Sequence, residues 1–210
     1  AGGTVSWDAF VAGGESVAVE EVERRGAELT PVDTLDILFT SGTTGNPKGV
    51  VSSHGPNIRT FETWSATVGR RSDDNYLIIN PFFHSFGYKA GWLASIIRGA
   101  RMLPVKSFDL DEVLEQIARE RVSMIPGPPT IYQSLLAHPR RGDYDLSSLR
   151  LAVTGAAPVP VSLVEQMRDE LGFEVVVTAY GLTESCGVVS ICRADDSPER
   201  ISHSSGRAMD

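Results

Sequence analysis

Residues 40–49, which read TSGTTGNPKG, concentrate the chemical groups that bind phosphate in proteins. The glycines allow backbone N–H groups to approach a ligand, Ser41, Thr43 and Thr44 offer hydroxyl donors, and Lys48 supplies a positive charge. The alternative is a flexible surface turn, which needs neither so many donors nor a lysine among them. The composition of this stretch therefore predicts a phosphate-binding loop.

The loop does not have the spacing of a Walker loop, which is GxxxxGK followed by Ser or Thr. Counted from Gly42, the last positions of that pattern are occupied by Pro47, Lys48 and Gly49. The second glycine and the hydroxyl that binds magnesium in a Walker loop are therefore both missing. Phosphate binding by backbone donors, hydroxyls and one cation remains the interpretation.

Short apolar runs alternate with helical patterns from Leu35 onward, and they indicate the elements that must position the loop. Predicted strands cover residues 36–39, 50–52, 76–80, 123–125, 149–154 and 174–178, the second being the hairpin partner of the first. Predicted helices cover residues 57–68, 110–121, 131–137 and 161–171. No strong periodicity precedes Leu35, so residues 1–34 are interpreted as a lead-in. The pattern predicts an α/β fold in which mostly parallel β-sheets are flanked by helices.

Two glycine-containing loops follow predicted strands. Residues 40–49 come after the strand at 36–39, and residues 179–184 come after the strand at 174–178. Ligands of α/β folds bind beyond the carboxyl ends of the strands. We therefore expect both loops to face a shared crevice.

Composition excludes several classes of protein. The 210 residues carry a formal charge of −8, whereas proteins that bind nucleic acid usually present a basic patch. The longest apolar runs are far too short to span a bilayer, so no transmembrane segment is expected. Cys186 and Cys192 have neither zinc-ligand spacing nor the density of a disulfide framework. With no secretory signal at the start, these features predict a cytoplasmic protein.

Four motifs, in order along the chain, resemble those of the adenylate-forming superfamily, which includes acyl-CoA synthetases, adenylation domains of peptide synthetases and firefly luciferase. The loop at 40–49 resembles its phosphate loop, and PFFHSFG at 81–87 resembles its aromatic and histidine segment. TGAAP at 154–158 is similar to its GGAAP loop, with Thr154 in place of the first glycine. YGLTE at 180–184 is similar to its YGxTE motif. The chain is therefore identified as a member of this superfamily, of the acyl-CoA synthetase type.

The resemblance implies a site for ATP and Mg²⁺. The residues implied in binding the nucleotide are Thr40, Ser41, Gly42, Thr43, Thr44, Gly45 and Lys48 on the phosphate side, and Gly155, Ala156, Ala157, Tyr180 and Gly181 on the adenylate side. In catalysis, Thr183 would bond the α-phosphate and Glu184 would offer an oxygen ligand to Mg²⁺. His84 would border the substrate entrance or the path of the thiol.

Three of these side chains also have an ordinary structural interpretation. Taken alone, His84 would more often be a packed histidine, Glu184 a solvated charge and Tyr180 a core residue. Within the motif, Tyr180 would instead stack on adenine, which suits a flat amphipathic ring. Their place in four ordered motifs, rather than their residue types, favours the functional interpretation.

The implied reaction has two halves. A carboxylate attacks the α-phosphorus of ATP to give an acyl-adenylate and pyrophosphate, and the thiol of coenzyme A then displaces AMP. Amino-acid-activating members usually carry an Asp in the segment that matches PFFHSFG, and residues 84–86 contain no acid. We therefore expect an uncharged fatty, aryl or polycyclic group on the acid, a class that includes the steroid-derived acids of actinobacterial ligases with a similar segment. The candidates for an apolar wall are Phe82, Phe83, Phe86, Tyr88 and Trp92.

Alternatives remain open. The same motifs occur in acyl-AMP ligases that load a carrier protein and in enzymes that oxidise the acyl group with emission of light. A nucleotide-binding module without catalysis is the non-enzyme alternative, although Lys48, Thr183 and Glu184 are all in place. A homodimer is also left open.

By the same resemblance, the chain corresponds to the central part of the large N-terminal domain. Residues 35–210 would form its α/β core behind the lead-in at 1–34. The small C-terminal domain, with the lysine that contacts the forming adenylate, would lie outside the sequence. We therefore expect these 210 residues alone not to complete the reaction.

Overall fold

Strands and helices alternate along the chain in the computed structural model, which describes residues 3–41 and 45–209. The strands are β1 (Thr34–Thr40), β2 (Lys48–Ser53), β3 (Asn75–Ile78), β4 (Arg101–Pro104), β5 (Met124–Pro126), β6 (Leu151–Gly155), β7 (Val175–Tyr180), β8 (Ser190–Ile191) and β9 (Arg207–Ala208). The helices are α1 (Trp7–Gly14), α2 (Val19–Glu28), α3 (His54–Thr67), α4 (Ala94–Arg98), α5 (Leu110–Glu120), α6 (Pro129–Ala137), α7 (Val161–Asp169) and α8 (Pro198–His203). A π-helix spans Phe86–Leu93, and single 3₁₀ turns span Arg141–Asp143 and Thr183–Ser185. The predicted α/β class is confirmed.

The larger sheet has the strand order β4-β3-β5-β6-β7-β8-β9. The pairings from β4 to β7 are parallel, and β8 and β9 continue the sheet in antiparallel fashion. β1 and β2 form a separate antiparallel hairpin, as predicted, in which Thr40 pairs with Lys48 beside the loop. The carboxyl ends of β3, β5, β6 and β7 therefore lie along one edge of the sheet.

The core lies on the middle strands of the larger sheet. Every residue of β5 and the first four residues of β6 are buried. This continuous burial is expected of parallel strands that are covered on both faces. Each large apolar side chain buried there stabilises the fold by about 1.5–3 kcal/mol.

Helix α5 shows how local sequence sets one element that covers this sheet. Its N-cap is Asp109, whose side chain accepts a hydrogen bond of 3.0 Å from the backbone N–H of Glu112. Val113 and Ile117, four residues apart, lie on its buried face. The helix ends at Arg121, which adopts a left-handed conformation with φ of 53°.

The lead-in at 1–34 is more regular than the sequence suggested. It contains α1 and α2, and neither helix has a buried residue. Helix α2 is supported instead by ion pairs one turn apart, from Arg24 and Arg25 to Glu21 and from Arg24 to Glu28. Because helix α2 buries no apolar face in the core, apolar periodicity did not predict it.

Other elements escaped prediction because they are short or lie at the rim. Strand β4 is at the sheet edge and exposes most of its residues, and β8 and β9 have two residues each. The π-helix at Phe86–Leu93 has a period that a search for α-helices does not detect. In the described part of the chain, no helix combines the length and the apolar character needed to cross a bilayer.

Candidate active site

A cavity of about 930 Å³ opens at the carboxyl edge of the parallel strands. Ligand cavities usually span roughly 300–1,000 Å³, so this one lies at the upper end of that range. Segments that are far apart in sequence line it, from the β1–β2 hairpin, the loop after β3, the end of β6 and the end of β7. The shared crevice expected from the two glycine loops is therefore present.

The β1–β2 hairpin forms part of the cavity wall. Thr40, Ser41 and Lys48 line it, and Lys48 is exposed. Gly42, Thr43 and Thr44 lie outside the described residues. Gly45 is exposed and is not part of the lining. A lysine that makes no ion pair within the described chain is available to an anionic ligand.

Thr183 and Glu184 line the same cavity. Both residues lie in the 3₁₀ turn after β7, and β2 packs against this turn. The turn is held by a 2.9 Å hydrogen bond from the backbone N–H of Gly187 to the carbonyl of Leu182. A Cβ at Gly181 would lie 1.6 Å from the carbonyl oxygen of Gly187, so only glycine allows the chain to fold back this closely.

The backbone at the end of β6 forms part of the cavity wall. A Cβ at Gly155 would lie 2.9 Å from the carbonyl oxygen of Ala179 on β7, so the missing side chain permits the two strand ends to approach. Ala156 adopts a φ of 63°, an unfavourable left-handed conformation for alanine. Gly155 and Ala156 line the cavity, whereas Ala157 is exposed and does not. Tyr180 and Gly181 line it from the neighbouring strand end, and Tyr180 is half exposed.

His84 lies at the rim, between β3 and the π-helix. Its Nδ1 accepts a 3.1 Å hydrogen bond from the backbone N–H of Phe86, which leaves the proton of a neutral imidazole on Nε2. The backbone N–H of His84 donates to the carbonyl of Pro81 at 3.0 Å. A Cβ at Gly87 would lie 2.2 Å from the same carbonyl, so the segment closes on itself only with glycine there.

Part of the cavity lining is apolar, and within the described residues two buried polar side-chain atoms of the lining residues have no hydrogen-bond partner. Phe61, Trp64, Ala90 and Val188 are buried and line this part. Trp64 Nε1 is buried and makes no hydrogen bond in the structure. The hydroxyl of Thr154, another buried lining residue, is in the same state. Buried polar groups without partners are unusual.

The sequence predicted the apolar wall of the cavity only in part. Phe83 and Phe86 line the cavity as predicted, whereas Phe82, Tyr88 and Trp92 do not. Tyr88 and Trp92 stack on each other at 4.6 Å between ring centroids. Trp64, which is not among the predicted wall residues, is both buried and part of the lining. Its place on α3 depends on how that helix crosses the cavity, which the sequence pattern does not reveal.

The residues present fit a single-carboxylate magnesium site. No group of three or more His, Cys, Asp or Glu side chains gathers within residues 3–41 and 45–209. Glu184 is exposed in the cavity and makes no ion pair in the described structure. Mg²⁺ that accompanies nucleotides is commonly held by one or two carboxylates together with phosphate oxygens. Such an arrangement needs no cage of protein ligands.

Comparisons with known proteins agree on one family. Residues 4–210 match the protein family described as AMP-binding enzyme. The chain is 49% identical over 207 residues to the 3-[(3aS,4S,7aS)-7a-methyl-1,5-dioxo-octahydro-1H-inden-4-yl]propanoyl:CoA ligase of Rhodococcus jostii (strain RHA1). It is 52% identical over 202 residues to the ligase of the same name from Mycobacterium tuberculosis (strain ATCC 25618 / H37Rv).

The chain is shorter than these relatives. The aligned part covers 99% and 96% of this chain, respectively, but only 40% of each ligase. Among solved structures, the inhibitor-bound N-terminal domain of FACL13 from Mycobacterium tuberculosis is similar, with a TM-score of 0.82 and 32% identity. That likeness covers 96% of this chain and 49% of the solved one.

Proposed function

The chain belongs to the AMP-binding enzyme family, and from this premise we propose that the complete protein is an AMP-forming acyl-CoA ligase. It would activate a carboxylic acid with ATP and transfer the acyl group to the thiol of coenzyme A. The observation that carries this proposal is the meeting of four separate motifs at one cavity, whose lining contains a cation, a carboxylate and apolar side chains.

In the first half-reaction, a carboxylate oxygen of the acid attacks the α-phosphorus of ATP and the bond to the pyrophosphate oxygen breaks. The catalytic contribution of the protein is mostly position and charge. Thr40, Ser41 and Lys48 hold the β- and γ-phosphates, and Lys48 offsets the charge that grows on the leaving pyrophosphate. Thr183 donates to the α-phosphate. Residues 42–44 of the loop would bind the same phosphates.

On the adenylate side, the backbone at Gly155 and Ala156 leaves space for the nucleotide. The ring of Tyr180 stacks on the adenine, for which its half-exposed position is suitable. Glu184 would hold Mg²⁺, whose chemistry is to neutralise phosphate charge. These assignments follow the position of each residue in the cavity lining.

In the second half-reaction, the thiol sulfur attacks the acyl carbon, the bond to the AMP oxygen breaks, and the proton of the thiol passes to solvent water. His84 stands at the rim where a thiol would enter, with Nε2 carrying the proton of the neutral ring. The reaction takes place in a reducing cytoplasm, which agrees with two cysteines that are free in the described structure.

The acid is proposed to be apolar and polycyclic, with an oxygen at its far end. Phe61, Ala90 and Val188 would contact its rings, and the free donors of Trp64 and Thr154 would bond a ketone or hydroxyl oxygen. A site with buried donors rejects analogues that lack the acceptor, because the donors are then desolvated without compensation. Two similar ligases are named for a propanoyl group on a dioxo ring system, which has this chemistry.

We further propose that residues 35–210 are the core of the large N-terminal domain and residues 1–34 its lead-in. A small C-terminal domain beyond these residues would complete the site. The isolated 210 residues are expected to bind nucleotide and not to complete the cycle.

The proposal is tested on the complete protein with ATP, MgCl₂ and a panel of acids, measuring exchange of labelled pyrophosphate into ATP. We expect exchange that depends on the acid, and formation of acyl-CoA when coenzyme A is added. Exchange without acyl-CoA would transfer the assignment to loading of a carrier protein. Nucleotide binding without exchange for any acid would contradict the proposal.

A further inference from the structure

A charged cluster is buried beside the cavity but does not line it. Lys89, in the π-helix, is fully buried, and its Nζ lies 3.3 Å from Oδ2 of Asp36 on β1. The same Nζ donates to the hydroxyl of Ser52 on β2 at 3.0 Å. The Ser52 hydroxyl donates to Oδ1 of Asp36 at 2.7 Å, and the side-chain amide of Asn57 on α3 donates to Ser52 at 3.0 Å.

The cluster joins two walls of the cavity. Asp36 and Ser52 lie on the two strands of the hairpin that carries Thr40, Ser41 and Lys48. Lys89 lies in the π-helix that starts two residues after His84, and the backbone N–H of Tyr88 donates to the carbonyl of His84 at 2.9 Å. In the described part of the chain, the Lys89–Asp36 contact is the only ion pair of this hairpin.

The two strands of the hairpin pair with each other and not with the larger sheet. Apart from the cluster, the described residues connect the hairpin to the rest of the fold through the continuation of β2 into α3 and through the packing of β2 against α3 and against the turn at Thr183–Ser185. The cluster is the connection between the hairpin and the π-helix, and it therefore links the phosphate loop to the His84 segment.

Stability alone does not explain a buried ion pair. Desolvation of two charges cancels most of their attraction, and apolar residues of similar volume are often as stabilising or more so. What the pair does provide is a fixed geometry, because either charge is costly without the other. A π-helix within a fold is also frequently found at functional sites.

We propose that Lys89, with Asp36 and Ser52, is a positioning residue that holds the phosphate loop in register with the His84 segment. This inference rests on the proposed function of the cavity. Burial, and next the charge of Asp36, raise the pKa of the neighbouring Tyr88 to about 12, so its phenol stays protonated and adds no charge to the cluster at neutral pH. The cluster acts on the ATP side, since the hairpin carries the phosphate ligands.

The test compares two double variants of the complete protein. Asp36→Asn with Lys89→Met removes both charges of the cluster, and Asp74→Asn with Arg150→Met removes a second buried ion pair that lies outside the cavity. We expect the first to lower kcat/KM for ATP by about 10²-fold, the cost of a small misplacement, with KM for the acid unchanged. The second should leave both values at those of the parent.

A single variant covers the case in which the first double variant does not fold. Ser52→Ala keeps both charges and removes the hydroxyl that bridges them, so kcat/KM for ATP should fall by about tenfold. Parent values in Ser52→Ala, or in a folded Asp36→Asn/Lys89→Met protein, would overturn the proposal.

A second measurement does not depend on activity. Amide hydrogen exchange of residues 34–53 should accelerate in Asp36→Asn/Lys89→Met and in Ser52→Ala, and not in Asp74→Asn/Arg150→Met. Unchanged protection of the hairpin in Ser52→Ala would refute the positioning role. An inactive parent would count against the proposed function, whereas an active parent with unaffected variants would count against this inference alone.

Discussion

At the amino ends of β3 and β6, Asp74 and Arg150 are buried and bonded to each other, with both Asp74 oxygens within 2.8 Å of Arg150 Nη2. Asp74 also accepts from Ser123 and from the backbone N–H of Arg71. Asn75 next to it donates to the carbonyls of Glu120 and Arg121. At this edge of the sheet, these charged and polar groups are satisfied within the protein.

The carboxyl edge of the same strands is built differently. Lys48 and Glu184 face the cavity without ion-pair partners in the described structure, and the Trp64 and Thr154 donors are buried and unbonded. Ala156 keeps a left-handed conformation there. Both edges belong to one set of parallel strands, so the contrast is not a matter of fold. Polar groups that are satisfied internally stabilise the fold, and those left unsatisfied are available to a ligand.

The largest expected effect is on stability at the amino edge. Arg150→Met leaves the Asp74 carboxylate buried without its main partner, so the free energy of unfolding should fall by about 3–5 kcal/mol. Urea denaturation of the complete protein measures this loss. Steady-state kcat and KM of the folded fraction should not change, and a large change in KM for ATP would show that the two edges are not independent.

The next effect is on chemistry at the carboxyl edge. Glu184→Gln should lower the rate of pyrophosphate exchange by about 10²–10³-fold, the usual cost of losing one electrostatic contact to the transition state. Because the side chain is exposed, unfolding should change by less than about 0.5 kcal/mol. Glu165→Gln, at an exposed position on α7 outside the cavity, is the matched control. Equal losses in the two variants would remove Glu184 from the mechanism.

A smaller effect is expected on the free energy of unfolding at acidic pH. Burial favours the neutral form of Asp74, but bonds from Arg150, Arg71 and Ser123 outweigh it and lower the pKa of Asp74. The stability from this group is complete above the pKa of Asp in unfolded chains, about 3.9, and is lost as pH falls through the lower folded value. Between these values the parent should lose about 1.4 kcal/mol per pH unit more than Asp74→Asn/Arg150→Met. Parallel stability curves from pH 6 to 2.5 would contradict the assignment.

The smallest expected effect concerns the acid. Trp64→Phe keeps an aromatic ring and removes the N–H, so kcat/KM for an acid with a distal ketone should fall by about 2- to 13-fold, which corresponds to one hydrogen bond of about 0.5–1.5 kcal/mol. The same acid with CH₂ in place of the carbonyl should react equally well with parent and variant. Trp92→Phe, whose ring stacks on Tyr88 outside the cavity, is the control. Equal losses for both acids would show that Trp64 contributes only shape.

The sequence predicted the elements and motifs at the carboxyl edge of the sheet more completely than the long-range contacts around them. The hairpin of β1 and β2, the helix α5 and the strands β3, β5, β6 and β7 were predicted because each has a local signal of periodicity or of an apolar run. The motifs at 40–49 and 180–184 were placed at strand ends for the same reason. Of these, Gly42, Thr43 and Thr44 lie outside the described residues, so their roles stay predictions.

What the sequence did not indicate depends on long-range contacts. Lys89 was passed over because a lysine inside FGYKAG gives no sign that Asp36, on a distant strand, is its partner. The free donors of Trp64 and Thr154 emerge only when their surroundings prove to hold no acceptor. Helices α1 and α2 were missed because they bury nothing. Local patterns predict elements and motifs, whereas pairing across the fold requires coordinates.

The claim that the cavity adenylates a carboxylic acid is tested most directly by the fate of one oxygen atom. The complete protein would be given ATP, MgCl₂, coenzyme A and an acid labelled with ¹⁸O in its carboxylate, and the AMP analysed by mass spectrometry. Attack of the carboxylate on the α-phosphorus predicts one ¹⁸O atom in each AMP and none in the pyrophosphate. AMP without the label, formed together with acyl-CoA, would contradict an acyl-adenylate and with it the roles given to Lys48, Thr183 and Glu184.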